Sequence, residues 1–191
     1  MNLESIFWRT WNYLKFRMNG VEIADGIKGF NVKKSFYLHV NKNATVRVGK
    51  NFTFYSDSCL NPLSRNLRGC ICVDENAVLT IGENVGISAS AIRCRKQITI
   101  GNRVTIGADV IFLDSDGHSL DYKKRGTDLD KPVCKAITIN DDVLIGARSI
   151  VLKGVTIGAR SIIGSGSVVT KDIPADCIAA GNPCKVIRIL N

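Results

Sequence analysis

The chain is poor in histidine and proline, and it lacks long apolar runs. Its 191 residues include two histidines, His39 and His118, and four prolines. A catalytic zinc site with three histidine ligands cannot be built within one such chain, so we predict no metal site. No apolar run approaches the roughly 20 residues that a membrane-spanning helix needs. The N-terminal residues carry Glu4 and Arg9 among apolar side chains without a small-residue cleavage site, so we predict no secretory signal.

Acidic residues are outnumbered by basic ones. The sequence has 26 Lys and Arg against 17 Asp and Glu, a net charge of +9. This excess favours anionic partners such as phosphorylated cofactors, acidic glycans or a membrane surface. Because the basic residues are scattered and do not form a stripe interleaved with aromatics, we predict no nucleic-acid partner.

The seven cysteines are odd in number and dispersed. The adjacent pair Cys70 and Cys72 lacks the spacing of a zinc site. We therefore expect small, reduced, mostly buried thiols and a cytoplasmic protein.

A six-residue repeat dominates the second half of the chain. Aliphatic residues occupy every sixth position at Ile139, Ile145, Val151, Ile157, Ile163 and Val169. A period of six fits neither an α-helix nor a hairpin, but it fits a chain that turns a corner every six residues. Three short sides close one coil, and the coils stack as parallel strands around a narrow core. Glycines beside the aliphatics are expected to let the backbone bend at the corners.

Weaker hexads extend the repeat upstream, and its breaks predict loops. The spacing between Phe112 and Ile139 is not a multiple of six, so a loop leaves the prism at about 114–136. A polar segment at 57–70 is a second predicted excursion. We expect an all-β parallel β-helix over 41–173, preceded by a helical or extended segment at 1–40 and followed by a tail at 174–191.

Residues 3–18 have helical periodicity. One apolar stripe contains Leu3, Phe7, Trp11, Leu14 and Met18. We expect the stripe to pack on the prism or on a neighbouring subunit. The alternative is peripheral contact with an anionic membrane surface.

These hexads, followed by VVTKDIPADCIAAGNPCKVIRIL at 168–190, resemble the hexapeptide-repeat acyltransferases. Their closest likeness is to the maltose, galactoside and polysaccharide O-acetyltransferases. The resemblance implies a left-handed β-helix, a homotrimer with active sites in clefts between prisms, and acetyl-CoA as co-substrate without a required metal.

The resemblance also implies the catalytic residue. His118, in the segment FLDSDGHSLDYKKRG, corresponds to the family's histidine and would act as general base on a sugar hydroxyl. Asp114, Asp116 or a backbone carbonyl would orient its ring. We expect Ser88, Asp114 and Asp116 to contact the acceptor.

The same likeness assigns the coenzyme site to the last coils. Ala147, Ser165, Thr170 and Lys171 would line the groove for the pantetheine arm, and Lys185 and Arg188 would face the nucleotide phosphates.

The predicted function is acetyl-CoA-dependent O-acetylation of a sugar or of a precursor of a cell-surface polysaccharide or lipopolysaccharide. One alternative is N-acetylation of a nucleotide-linked amino sugar. A second is a non-catalytic β-helix scaffold. A metal-dependent hydratase on the same prism is disfavoured by the shortage of histidine.

Overall fold

The computed structural model describes residues 3–56, 63 and 68–190. This part of the chain forms one helix, α1 (Leu3–Met18), and twenty short strands that wind into a left-handed parallel β-helix. The fold class predicted from the hexads is therefore confirmed.

The strands form three sheets, one for each side of the prism. In spatial order, sheet A contains β1 (Glu22–Ile23), β4 (Thr45–Val48), β7 (Val78–Ile81), β10 (Gln97–Ile100), β13 (Ile137–Ile139) and β16 (Thr156–Ile157). Sheet B contains β2 (Phe30–Lys33), β5 (Phe52–Tyr55), β8 (Gly86–Ser88), β11 (Thr105–Ile106), β14 (Leu144–Ile145), β17 (Ile162–Ile163), β19 (Cys177–Ala180) and β20 (Lys185–Ile189). Sheet C contains β3 (Tyr37–Val40), β6 (Cys70–Val73), β9 (Ala91–Cys94), β12 (Ile111–Leu113), β15 (Ile150–Leu152) and β18 (Val168–Val169).

The hexad aliphatics form the core. Each of the six from Ile139 to Val169 is at most 1% exposed, since one side chain per strand points inward. At the N-terminal end the core is aromatic, and it contains Phe16, Phe30, Phe36, Phe52 and Phe54.

The corner glycines serve close stacking rather than bending. A Cβ on Gly82 would lie 2.5 Å from the carbonyl oxygen of Gly101 in the next coil. The positive φ of that turn falls on Asn84, at 57°. The expectation that glycine is needed to bend the corner was therefore wrong. Glycine is needed at this position because the next coil leaves no room for a side chain.

The β-helix begins before the predicted boundary at residue 41. Strands β1 to β3 form a complete first coil within residues 22–40 and pair in parallel with the second coil. The hexad missed this coil because Ile23 and Val32, which pair with Val48 and Phe54 of the second coil, are nine residues apart and not six. The segment at 174–191, predicted to be a tail, is part of sheet B, because β19 continues that sheet and β20 pairs antiparallel with β19.

The excursion at 114–136 lies between β12 and β13. Its two ends are tied together by an antiparallel bridge between Ser115 and Cys134 and by a hydrogen bond from the Lys135 N–H to the Asp114 carbonyl. The other predicted excursion, 57–70, falls largely outside the described residues.

Helix α1 is present as predicted, but its apolar stripe does not face the prism. The buried side chains of α1 are Asn12 and Phe16, whereas Phe7 and Trp11 are 58% and 55% exposed. Among the described residues, no helix combines the length and apolarity needed to cross a membrane.

Candidate active site

His118 lies near the start of the excursion loop, where its imidazole is held by a carboxylate. The ring Nδ1 is 2.8 Å from Oδ2 of Asp130, and the His118 side chain is 72% exposed. The expectation that Asp114 or Asp116 orients the ring was wrong, because the loop folds back and brings Asp130 to it. No spacing rule predicts a contact that depends on the path of a loop.

Asp130 is itself fixed by the loop backbone. Its Oδ2 accepts the N–H of Gly126 at 2.8 Å, and its Oδ1 accepts the N–H of Ser119 at 2.6 Å. These bonds, with the contact to His118, lower the pKa of Asp130 to about 2. An ionised Asp130 holds the proton of a neutral imidazole on Nδ1, so the acceptor lone pair is on Nε2.

Asp114 stabilises a turn of the prism. It is fully buried, and its carboxylate accepts the backbone N–H groups of Arg95, Lys96 and Gln97 at 2.7–2.9 Å. Eight residues, and not six, separate Ile92 from Ile100 across this turn, so it interrupts the hexad register before β10. The carboxylate is used within the prism, which does not support the prediction that Asp114 contacts the acceptor.

Asp116 lies at the base of the loop. Its Oδ1 is 2.6 Å from Nζ of Lys153, which extends from the same corner of the next coil. Arg95 donates to the carbonyl of Gly117 at 2.9 Å, so cations on both sides fix the residues just before His118. Within the described residues, Oδ2 of Asp116 is buried without a hydrogen-bond partner. That oxygen has an unused capacity to accept a hydrogen bond.

Three predicted site residues lie on the B–C corner, defined as the turns that lead from sheet B to sheet C. Ser88 ends β8, and Ala147 and Ser165 follow β14 and β17 at equivalent positions. The Gly166 N–H donates to the Ala147 carbonyl at 2.8 Å, which stacks one turn directly on the next. Lys185 opposes Ala180 at the end of β19, so this cation extends the same column, and Arg188 opposes Ile178.

The other predicted residues lie on the C–A corner, defined as the turns that lead from sheet C to sheet A. The loop that carries His118 leaves from this corner after β12, and Thr170 and Lys171 follow β18 there, two coils further along. A whole face of the prism, sheet C, separates the two corners. One chain therefore does not bring His118 together with Ser88, Ala147 or Ser165.

A separate groove of about 410 Å³ lies along the first strands of sheet A. Arg17, Glu22, Arg47 and Thr80 contribute to its lining, which contains no predicted site residue. Among the described residues, no group of three or more His, Cys, Asp or Glu is arranged to hold a metal ion. The six cysteines in this part of the chain are free thiols.

Comparison with known proteins agrees with the coil geometry. The family model described as bacterial transferase hexapeptide (six repeats) matches residues 136–171. Galactoside O-acetyltransferase of Escherichia coli K12 is 45% identical over 96 residues, which are 49% of this chain and 45% of that protein. Polysialic acid O-acetyltransferase of Escherichia coli O1:K1 is 37% identical over 127 residues, which are 64% of this chain and 40% of that protein. The chain thus spans less than half the length of either relative.

A solved structure covers the whole chain. The hexapeptide-repeat acetyltransferase of Vibrio cholerae O1 biovar eltor, complexed with acetyl coenzyme A, is 26% identical with a TM-score of 0.61. The match covers 100% of this chain and 80% of that one. The repeat and the three-sided coil thus agree with the hexapeptide-repeat family model over residues 136–171, and the chain is similar to hexapeptide-repeat acetyltransferases in sequence and in fold.

Proposed function

We propose that the protein is an acetyl-CoA-dependent O-acetyltransferase that acts on a sugar of a cell-surface polysaccharide or lipopolysaccharide precursor. The observation that carries this proposal is the exposed His118 imidazole, oriented by an ionised Asp130 beside the hexad coils. The names of the two enzymatic relatives, a galactoside and a polysialic acid O-acetyltransferase, support the acceptor class.

In this mechanism Nε2 of His118 accepts the proton of a sugar hydroxyl while the oxygen attacks the thioester carbonyl. The tetrahedral intermediate collapses by breaking the carbon–sulfur bond, and the leaving thiolate takes the proton back from His118. Asp130 remains ionised throughout and stabilises the transient imidazolium. A backbone N–H would stabilise the oxyanion.

The coenzyme site is proposed to form between copies of the chain. Ala147 and Ser165 would line the pantetheine groove from the B–C corner, and Thr170 and Lys171 would line it from the C–A corner of a neighbour. The separation of these residues by sheet C within one chain supports a shared site.

The proposed oligomer is a homotrimer. Three large apolar side chains, Leu120, Tyr122 and Leu129, are exposed on the loop that carries His118. A neighbouring prism that covered them would also bring its B–C corner close to His118.

Charge and hydrogen-bonding capacity suggest the remaining contacts. Lys185 and Arg188 are exposed on β20, and they would bind the nucleotide phosphates of the coenzyme. Ser88 of a neighbouring copy and the partnerless Oδ2 of Asp116 would contact the acceptor. Acetyl-CoA and free thiols are typical of the cytoplasm, where we propose that the reaction occurs.

The test is release of coenzyme A thiol from acetyl-CoA in the presence of galactosides, oligosialic acid or a nucleotide-linked amino sugar. We expect turnover with a hydroxyl acceptor and its loss in His118→Ala. His39→Ala is the matched control, since His39 is exposed on β3 away from the loop. Equal turnover by His118→Ala and wild type rejects the mechanism, and preference for the amine supports N-acetylation. Calorimetry that detects no binding of coenzyme A indicates a scaffold.

A further inference from the structure

Helix α1 covers the N-terminal end of the prism. In the first coil the carbonyl of Lys33 accepts a hydrogen bond from the Ser56 N–H of the second coil, whereas the carbonyls of Val32 and Lys34, on either side of it, accept from α1. Nδ2 of Asn12 donates to both of these carbonyls, at 3.0 and 2.9 Å. Nζ of Lys15 donates to the carbonyl of Phe36 at 2.7 Å. The helix thus satisfies the backbone groups that the first coil would otherwise leave unpaired.

The packing face of α1 is apolar as well as polar. Phe16 is fully buried, with its ring centroid 4.9 Å from that of Phe30 in an edge-to-face contact. Successive helical residues are 100° apart, so Phe7, Trp11 and Leu14 lie on the side opposite Asn12 and Phe16. All three are exposed, which gives the end of the prism an outward apolar surface. Leu3 and Met18, each more than 80% exposed, extend it.

Positive charge is concentrated at the same end. Residues 1–50 contain nine Lys and Arg and three Asp and Glu, a net charge of +6 out of the chain's +9. The single acidic residue of α1, Glu4, is paired with Lys34 of the first coil. Aromatic and aliphatic side chains flanked by basic residues are the composition of helices that lie in the surface of anionic bilayers.

We propose that the outward face of α1 docks the protein on an anionic lipid surface, with the prism axis directed away from the membrane. Its apolar side chains, Leu3, Phe7, Trp11, Leu14 and Met18, would enter the interface, while the basic residues of the first coils contact the headgroups. Copies that associate side by side along their prism walls leave this end uncovered, so a flat surface fits it better than a second copy.

This arrangement leaves the proposed active site accessible. The His118 loop leaves sheet C three strand spacings from β3, roughly 14 Å along the prism axis. Acceptors attached to the same membrane would therefore lie near the catalytic loop. The docking proposal itself stands without any acetyltransferase activity.

The test uses the full chain and vesicles of phosphatidylcholine with or without phosphatidylglycerol. Both tryptophans of the chain, Trp8 and Trp11, lie in α1, so their emission reports docking directly. We expect co-sedimentation and a blue shift of emission only with the anionic vesicles, both weakened by added salt.

The double variant Phe7→Gln/Leu14→Gln preserves charge, helix propensity and both tryptophans. We expect its partition coefficient on anionic vesicles to fall by about tenfold or more, because two apolar side chains no longer enter the interface. Tyr37→Gln is the matched control, since Tyr37 is 54% exposed on the wall of the same coil, and it should bind like wild type.

Three results would overturn the proposal. The first is that the wild-type chain does not bind anionic vesicles, and the second is that the double variant binds them as wild type does. The third is that the double variant loses self-association in sedimentation velocity while its vesicle binding is unchanged. The last result would assign the face of α1 to a second copy. Each is read without an acetyltransferase assay, so failure of the catalytic proposal remains distinguishable.

Discussion

Replacing Asp130 by asparagine tests how His118 is prepared for catalysis. The Asp130 carboxylate makes three contacts, with the backbone N–H groups of Ser119 and Gly126 and with Nδ1 of His118. An asparagine can still accept from Ser119 through its oxygen, but its NH₂ group then faces Nδ1. Because NH₂ is a donor, Nδ1 must become the acceptor, and the ring proton moves to Nε2. The NH₂ group also cannot accept the Gly126 N–H, so the variant weakens the loop by one hydrogen bond and presents the wrong tautomer.

The expected cost follows from that tautomer. A protonated Nε2 cannot accept the hydroxyl proton, so kcat should fall by about 10²- to 10⁴-fold, the range of a general base. The KM for acetyl-CoA should change little, since Asp130 lies outside the proposed coenzyme groove. Asp121→Asn is the matched control, because Asp121 accepts a backbone N–H from Lys123 in the same loop. It should retain kcat to within about threefold.

The assay combines turnover with nitrogen NMR of the two histidine rings. The wild-type spectrum should show His118 protonated on Nδ1 when neutral, and Asp130→Asn should show it protonated on Nε2. His39→Ala provides the assignment. A variant with near wild-type kcat and an unchanged tautomer would refute the reasoning.

The pH dependence has a definite sign. The folded-state pKa of Asp130 is lowered to about 2 from an ordinary value of 3.8. Its contribution to loop stability is therefore present above about pH 4 and is lost as the pH falls through about 2. Titration of Asp130 should not shape the rate profile between about pH 5 and 9. Loss of loop protection from proteolysis already at about pH 6 would contradict this assignment.

Three further variants test the coils, a buried turn and the coenzyme site. Gly82→Ala should lower the free energy of unfolding in urea by about 1–3 kcal/mol, because the new Cβ meets the next coil. Gly86→Ala is the control and should not lower it, because the space around Gly86 is open. Equal urea midpoints for the two variants would contradict the stacking argument. Asp114→Ala should lower the free energy of unfolding in urea by about 2–4 kcal/mol, because three N–H groups lose their acceptor. A variant of wild-type stability with a raised KM for the acceptor would contradict this and would support a role for Asp114 in acceptor binding. Lys185→Gln should weaken the binding of coenzyme A, measured by calorimetry, by about 3- to 10-fold, whereas the control Lys42→Gln should bind it like wild type. Equal affinities of the two variants for coenzyme A would show that Lys185 does not bind the phosphates.

The hexad predicted the coils because each coil repeats the same local requirement. One aliphatic must point inward per side, so Ile139 to Val169 reveal the fold without knowledge of distant contacts. The first coil did not show this pattern because nine residues, and not six, separate Ile23 from Val32, and because Phe16 of α1 packs against Phe30 from outside the repeat.

The site was less predictable, because its contacts depend on the path of a loop and on which face of an element is turned inward. His118 and Asp130 are 12 residues apart in a loop without periodicity. Helix α1 has an apolar stripe that suggests a packing face, yet the prism takes the opposite face because Asn12 satisfies unpaired carbonyls there. Hydrophobicity alone does not predict that Asn12, with two hydrogen bonds to backbone carbonyls, is buried while Trp11 is exposed.

Because the two corners of one chain are far apart, we predict that each active site is shared between two copies of the chain. His118→Ala removes the base, and Ser165→Trp would obstruct the groove at the exposed B–C corner, so each variant alone should be inactive. If each site takes His118 from one copy and Ser165 from its neighbour, random co-assembly of equal amounts gives about a quarter of sites with both residues intact. Co-expression should therefore restore about a quarter of wild-type turnover, whereas mixing the preassembled proteins should restore none. A co-expressed mixture as inactive as its parents would mean that each chain builds its own site, which the width of sheet C does not favour.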